Sequence, residues 1–259
     1  MKKQTPEVDP RLMVQSVARA MRVQEAVGQA TRPLSLAEIA RAAEIDRSAA
    51  QRFAYTLEAL GYLERGESGQ GYRPGLKALD RSFEYLRAHP LVERATPALI
   101  ELRKETRERV DLSLFDGASI VYAIRLQSKR ETFYATLVGR RIPTFCTAGG
   151  RAMLALLDDS EIEDILDRSD LSRLTPKTIT DRGEIMDKIK QARSDGYALA
   201  LEEGQMGEIV IGTAIRGAQG RPLAAIHIAG SLSEWQERDF RDRCAPLAME
   251  AAAALHIEA

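Results

Sequence analysis

The chain has 259 residues, 44% of them hydrophobic, with three histidines, two cysteines and a formal net charge of −1; its mean hydropathy is −0.27. That length suits two domains of an ordinary soluble protein, and no apolar run approaches the ~18 residues a bilayer span needs. Cys146 and Cys244 lie far apart, with no second thiol or nearby histidine at metal-ligand spacing. This fits a reducing compartment and leaves no metal site or cofactor to expect. The opening "MKKQTPEVDPR" lacks the apolar core of a signal peptide and reads as a short flexible arm, so a cytoplasmic protein is expected.

The first periodic segment, "VQSVARAMRVQEAVGQA", reads as an amphipathic helix with Val14, Val17, Met21 and Val27 at its apolar positions. Next comes "SLAEIARAAEIDRSAAQRFAYTLEALGYLER", Ser35 to Arg65. Ser35 and Glu38 form a capping box with Leu34 and Ile39 as its staple, so a short helix is expected over about Leu36–Ala43. Asp46 then caps a second helix. Ala50, Phe53, Ala54, Leu57 and Leu60 share one stripe of it, Arg47, Ser48, Gln51, Arg52 and Tyr55 the opposite one, and Gly61 ends it.

Two helices joined by a tight turn, the second with a donor-rich first face, make the helix-turn-helix pattern. A major groove admits one such helix, with Arg suited to guanine, Gln to adenine and Ser to phosphate. A plain solvent-facing stripe has the same composition, and the following segment separates the two readings. "YLERGESGQGYRP" is strand, glycine-rich tip and strand, a hairpin or wing that carries Arg65 and Arg73 toward backbone phosphate. Residues 1–75 hold 11 Lys or Arg against 9 Asp or Glu, net +2, which leaves net −3 for the remainder. So weakly basic a reader needs a second copy beside it, and a homodimer on double-stranded DNA is expected.

"RPGLKALDRSFEYLRAHP" places Leu76, Leu79, Phe83 and Leu86 at helical spacing before Pro90, a linker helix. A helix over about Leu91–Thr106 follows, with Leu99, Ile100 and Leu102 apolar. The period then changes to two: Val110, Leu112 and Leu114, an Asp116-Gly117 turn, and a strand near Ile120–Arg125. "ETFYATLVG" reads as another strand and "GRRIPTFCTAGG" as a loop. Helices are expected near Ala148–Leu157 and Glu161–Arg168, and from a cap at Asp181 to Gly196. "YALALEE", "EIVIGTAIRG" and "PLAAIHIAG" complete the strands, and a helix over Glu234–Ile257 closes the chain. The fold class is α+β, with domains at 1–75 and 91–259 and the linker at 76–90.

With both halves read, the chain resembles the IclR family of bacterial transcriptional regulators. The N-terminal match is "VQSVARAM…PLSLAEIARAAEIDRSAAQRFAYTLEALGYLER". The C-terminal match is "VGRRIPTFCTAGGRAMLALL", "LTPKTITD", "ARSDGYALALEEGQMGE" and "GRPLAAIHIAG", in that order. The likeness is nearest to regulators of aromatic-compound catabolism. It implies a winged helix-turn-helix, a linker helix and a profilin- or GAF-like effector domain with an antiparallel sheet. It also implies dimers that pair into tetramers on operator DNA, a small-molecule effector, and repression of catabolic genes.

The family pocket lies between the sheet and "FCTAGGRA", which brings in Phe145 and the amides of Thr147, Ala148, Gly149 and Gly150 as a seat for an acceptor group. Phe133, Ala135 and Leu137 alternate on the preceding strand. Where keto-acid-binding members resemble one another, this chain has Ala200, Glu208, Val210, His227 and Ala229, a departure that points away from keto-acids. Glu208 as an acceptor opposite amide donors, with Phe133, Leu137 and Val210 as walls, suits a hydroxybenzoate, a phenol, or an aromatic amide or hydrazide. A dicarboxylate is expected to be repelled by Glu208. The alternatives are a keto-acid effector, no effector, or an enzyme built on Cys146 with His227 or Glu203 as base. Nothing in the spacing requires that last grouping, and no catalytic activity is expected.

Overall fold

The computed structural model describes residues 9–67, 69–127 and 137–257. The chain divides into two compact units, Met1–Tyr85 and Leu86–Ala259.

In the first unit, α1 (Gln15–Gln29), α2 (Leu36–Ala42) and α3 (Arg47–Ala59) precede a hairpin of β1 (Leu63–Arg65) and β2 (Tyr72–Pro74). The Ser35–Glu38 capping box forms as the sequence requires, and Asp46 accepts from the Ala49 amide at 2.8 Å to start α3. The core gathers Val23, Val27, Ile39, Ala50, Ala54, Leu57, Leu63 and Tyr72. Alanines at 40, 43, 50 and 54 let α2 and α3 approach closely. Two expectations fail here. Val14, Val17 and Met21 are exposed, because the buried residues of α1, Val23 and Val27, lie in its second half. Leu60 is also exposed, since the helix ends at that residue and its side chain leaves the stripe.

The unit boundary falls inside α4 (Lys77–Ala88), which buries none of its residues. Leu76, Leu79 and Phe83 stand exposed there.

The second unit begins with α5 (Pro90–Thr106), whose first helical position is Pro90. Its sheet contains β3 (Arg109–Asp116), β4 (Ser119–Leu126), β5 (Arg141–Pro143), β6 (Ala198–Leu201), β7 (Glu208–Arg216) and β8 (Pro222–Ser231). These pair antiparallel in the order β5-β4-β3-β8-β7-β6. The segment expected as a loop, "GRRIPTFCTAGG", therefore contributes an edge strand, since Ile142 pairs with Ile120. The expected strand "ETFYATLVG" falls mostly outside the described residues.

One face of the sheet packs Val110, Leu112, Ile211, Ile226 and Ile228 on α5 and on the closing helix α9 (Glu237–Ala253). The other face lies under α6 (Ala148–Leu154), α7 (Asp159–Asp167) and α8 (Arg182–Asp195). Within α5, Ile100 faces outward and Leu91, Ala95, Leu99 and Leu102 carry the contact. No helix among the described residues is long and apolar enough to cross a membrane.

Helix α6 sits unusually close to the sheet. A Cβ at Gly212 of β7 would overlap the amide nitrogen of Gly149, so only glycine allows this approach. Gly212→Ala forces the helix off the strand, and overpacking of this kind costs about 1–3 kcal/mol. Urea unfolding is expected to show a lower midpoint at unchanged slope.

Candidate functional site

Two surfaces carry the residues singled out above, one in each unit.

In the first unit Arg47, Ser48, Gln51, Arg52 and Tyr55 are all exposed along α3, on the side opposite its buried alanines. The Ser48 hydroxyl donates to Asp46 at 2.7 Å, so it reinforces the cap as well as facing outward. The wing arginines are engaged within the unit, one by α3 and one by the wing itself. Arg65 Nε donates to Glu58 at 3.0 Å with its guanidinium 4.1 Å from the Tyr72 ring centre, and Arg73 Nε donates to Glu64 at 2.8 Å. To meet phosphate each must give up an exposed carboxylate partner, a contact worth little in water.

In the second unit, alternation along four strands builds one polar patch beneath α6. Register sets Asp111 opposite both Arg125 and His227, Val210 opposite both Ala200 and Ala229, and Arg109 opposite Ala229. Asp111 is wholly buried. It accepts from Arg125 Nε at 3.2 Å, Arg125 Nη2 at 3.0 Å and Arg109 Nε at 3.0 Å. Arg109 also reaches Glu208 at 2.7 Å. Burial opposes the Arg109 charge, but the carboxylates of Asp111 and Glu208 outweigh it, so the group is held more firmly protonated than usual. Arg125 lies 3.9 Å over the Tyr122 ring. Its Nη1 is buried and has no hydrogen-bond partner among the described residues.

Arg109, Tyr122, Arg125 and Glu208 line a cleft with Arg140, Ile142, Cys146, Thr147, Ala148, Ala200, Gly204, Gln205, Val210 and His227, and Asp111 lies buried behind them. The cleft is narrow, with about 30 Å³ of open volume. His227 Nε2 lies 2.7 Å from the Ser113 hydroxyl, and burial lowers its pKa to about 4, with Arg125 and Arg109 adding to the effect and Asp111 opposing it. The imidazole is therefore neutral at pH 7. Burial raises the Tyr122 phenol, and Asp111 adds to that.

Of the expected pocket residues, Thr147, Ala148, Ala200, Glu208, Val210 and His227 meet in this cleft. Phe145 does not; its ring is fully buried in the core beneath α6. Gly149 packs its backbone against the His227 ring, where a Cβ would overlap. Ala229 lies in register between Arg109 and Val210 without lining the cleft, and Leu137 is exposed. Phe133 and Ala135 lie outside the described residues.

Two chemical expectations are corrected. Two of the four amides of the expected seat are occupied: Gly150 N donates to Thr147 Oγ1 at 3.1 Å and Thr147 N to Thr144 O at 3.5 Å, and α6 has only seven residues. Glu208 is not a free acceptor, because it neutralises Arg109. For the alternative enzyme grouping, Cys146 and His227 do line the same cleft, but burial pushes the Cys146 thiol up to about 12 and Glu203 is held by Arg151.

Sequence reasoning missed Arg109, Asp111, Tyr122, Arg125 and Arg140. Their signal was present, since Arg109, Asp111 and Ser113 alternate with the apolar residues of β3. A strand with one apolar face reads as having water on the other, and here the second face is covered too.

Comparison with known proteins places this architecture. A model of the bacterial transcriptional regulator IclR C-terminal domain matches residues 83–257, and the IclR helix-turn-helix domain matches 16–67. The chain belongs to the IclR family of bacterial transcriptional regulators. Within that family it is 30% identical over 244 residues to the Pca regulon regulatory protein of Pseudomonas putida, covering 94% of this chain and 83% of that one. A transcriptional-regulator structure from Rhodococcus sp. RHA1 is 31% identical with TM-score 0.78, covering 94% and 97%. A double mutant of the PobR transcription factor inducer-binding domain from Acinetobacter, in complex with 3-hydroxybenzoic acid, is 28% identical with TM-score 0.59. It covers 65% of this chain and 98% of that one.

His227 gives the IclR-type fold a pH dependence. An unfolded histidine takes up its proton near pH 6.5, the folded one only near 4. Between those values the unfolded state binds the extra proton, so stability is full above about pH 6.5 and declines as pH falls toward 4. Denaturant unfolding at pH 7.5 and 4.5 is expected to show a loss of up to roughly 3 kcal/mol that His227→Gln abolishes.

Proposed function

We propose that this regulator binds operator DNA as a homodimer through the exposed face of α3, and that the cleft beneath α6 takes a small aromatic monocarboxylate as effector. The observation that carries the effector reading is the buried, unpartnered Nη1 of Arg125. A buried donor without a partner costs about 1–3 kcal/mol, more when charged, and a ligand carboxylate removes that cost. Charge agrees. Arg109, Arg125 and Arg140 oppose Glu208 and the Asp111 carboxylate buried behind the lining, with His227 neutral, so the cleft and its support together have one positive charge in excess. One carboxylate balances it, and a second meets Glu208 and Asp111.

Tyr122, Ile142 and Val210 offer apolar surface for a ring beside that carboxylate. The relative PobR domain is complexed with an aromatic hydroxy acid, in keeping with this class. A cavity of roughly 150 Å³ admits a benzene ring, so the narrow cleft has to widen to hold one. That requirement gives the effector different affinities for two arrangements of the walls, which is the thermodynamic condition for it to act.

On the DNA side, Arg47, Gln51, Arg52 and Tyr55 are exposed for base edges, Ser48 reaches phosphate by giving up its bond to Asp46, and Arg65 and Arg73 lie on the wing. The exposed apolar residues Leu76, Leu79 and Phe83 of the linker, with Val14, Val17 and Met21 of α1, are the proposed dimer contacts. The two further copies of a tetramer would assemble on the operator.

Footprinting on the upstream DNA of its own gene, with and without benzoate, tests both halves. Arg47→Ala with Gln51→Ala is expected to lose protection, each base contact being worth about 1–3 kcal/mol. Arg125→Met is expected to keep the footprint but lose its response to benzoate, and calorimetry on the wild type should favour benzoate over benzamide at least tenfold. An unchanged footprint in the first variant, or equal binding of the acid and the amide, contradicts the corresponding half.

Light scattering at micromolar protein without DNA is expected to give the mass of at least a dimer, and Leu79→Glu with Phe83→Glu to give a monomer. A monomeric wild type removes the dimer from the proposal.

A further inference from the structure

Arg151 and Glu203 stand beside the cleft without lining it, and the proposed function uses neither. Arg151 is fully buried in α6 and Glu203 nearly so. Their bidentate pair closes at 2.5 Å and 2.7 Å. Replacing a buried ion pair with apolar residues of similar volume is often neutral or stabilising, so stability is a weak reason for this one.

Its hydrogen bonds suggest another role. Arg151 Nε donates to Phe145 O at 2.7 Å, which fixes the turn whose next residues, Cys146, Thr147 and Ala148, form one wall of the cleft. Glu203 begins the opposite wall, since Gly204 and Gln205 follow it. That turn closes on itself and on Glu208: Glu202 N donates to Glu208 O at 2.8 Å, and Gly207 N to Glu202 Oε1 at 2.9 Å. Glu203 also holds a third segment. Its Oε2 accepts from Ile179 N at 3.0 Å, its carbonyl accepts from Thr178 Oγ1 at 2.8 Å, and Glu202 O accepts from Thr175 Oγ1 at 2.6 Å. None of the residues 175–179 lines the cleft.

We propose that the Arg151–Glu203 ion pair is the positioning element of the cleft, tying its two walls and the 175–179 loop into one frame that moves together when the cleft opens. The proposal rests on reading the cleft as the effector site. It assigns the pair no contact with the effector; both residues act through the backbone they hold. It also makes the 175–179 loop the place where occupancy is felt outside the cleft.

Amide hydrogen exchange and benzoate calorimetry on the full chain test this, with Arg151→Lys as the first variant. Lysine keeps the charge but lacks the planar fork, so it cannot bond Phe145 O and both Glu203 oxygens together. Exchange without ligand is expected to quicken at least tenfold, in step, at residues 145–148, at 203–207 and at Ile179, and benzoate Kd to rise at least tenfold. In the wild type, benzoate is expected to slow exchange at Ile179, which it cannot touch.

The double variant Arg151→Met with Glu203→Leu keeps the packing. It leaves Phe145 O and Ile179 N without their side-chain partners. It is therefore expected to fold with a lowered melting temperature and to show the concerted loosening and weak benzoate binding of Arg151→Lys, where a purely structural role would lower the melting temperature alone. Benzoate affinity within twofold of wild type in either folded variant, or loosening confined to one wall, overturns the frame. Should neither variant fold, the wild type decides, since benzoate protection restricted to cleft-lining residues also overturns it. A wild type that binds no benzoate removes the effector reading alone, and concerted or one-sided loosening in the ligand-free variants still settles the frame.

Discussion

The second unit is organised around one buried carboxylate. Asp111 lies at the centre of the sheet, out of reach of water, and accepts three hydrogen bonds from two guanidinium groups. An isolated carboxylate there would cost many kcal/mol to desolvate, and only close, charge-assisted contacts repay it. Satisfying Asp111 draws in Arg109 from its own strand and Arg125 from the neighbouring β4 and sets the direction of their forks. Arg109 then captures Glu208, while the Nη1 of Arg125 keeps no partner among the described residues. The recognition chemistry of the cleft is thus what remains after the core has balanced its own charge.

The same strands show how little space separates packing from function. His227 shares the polar face with Asp111, yet its ring presses on Gly149, and Gly149 presses on Gly212. Side chain, helix and strand form one stack in which no methyl group can be added. Such close packing resists gradual deformation, so widening the cleft means moving whole segments. A regulator needs that discreteness, because an effector shifts an equilibrium only as far as its affinity for the two arrangements differs.

The first unit solves a different problem with little net charge. Its wing arginines are tethered by Glu58 and Glu64, which leaves the α3 face to supply unpaired donors. Exposed pairs of this kind are weak and are exchanged readily for phosphate. Affinity from so small a net charge favours two linked readers, and exposed leucines and a phenylalanine beside the unit boundary provide apolar surface for that pairing.

The sequence by itself determined whatever depends on neighbours along the chain. The capping box at Ser35, the cap at Asp46, the α3 faces, the wing and the alternation of β3 and β8 all follow from spacing, because helices and strands present their side chains at fixed periods. Six of the residues that meet in the cleft came from the resemblance to the family, and no spacing pointed to them. Only the tertiary structure decided what those residues do. Glu208 looks like a free acceptor until Arg109, roughly a hundred positions earlier in the chain, is laid beside it. The polar positions of β3 look solvent-facing until α6 covers them, and Val14 and Met21 look like core until α1 is seen to bury only residues of its second half. Period two assigns a residue to a face of a sheet; whether that face meets water, a helix or a ligand depends on contacts distant in sequence, which no local pattern encodes.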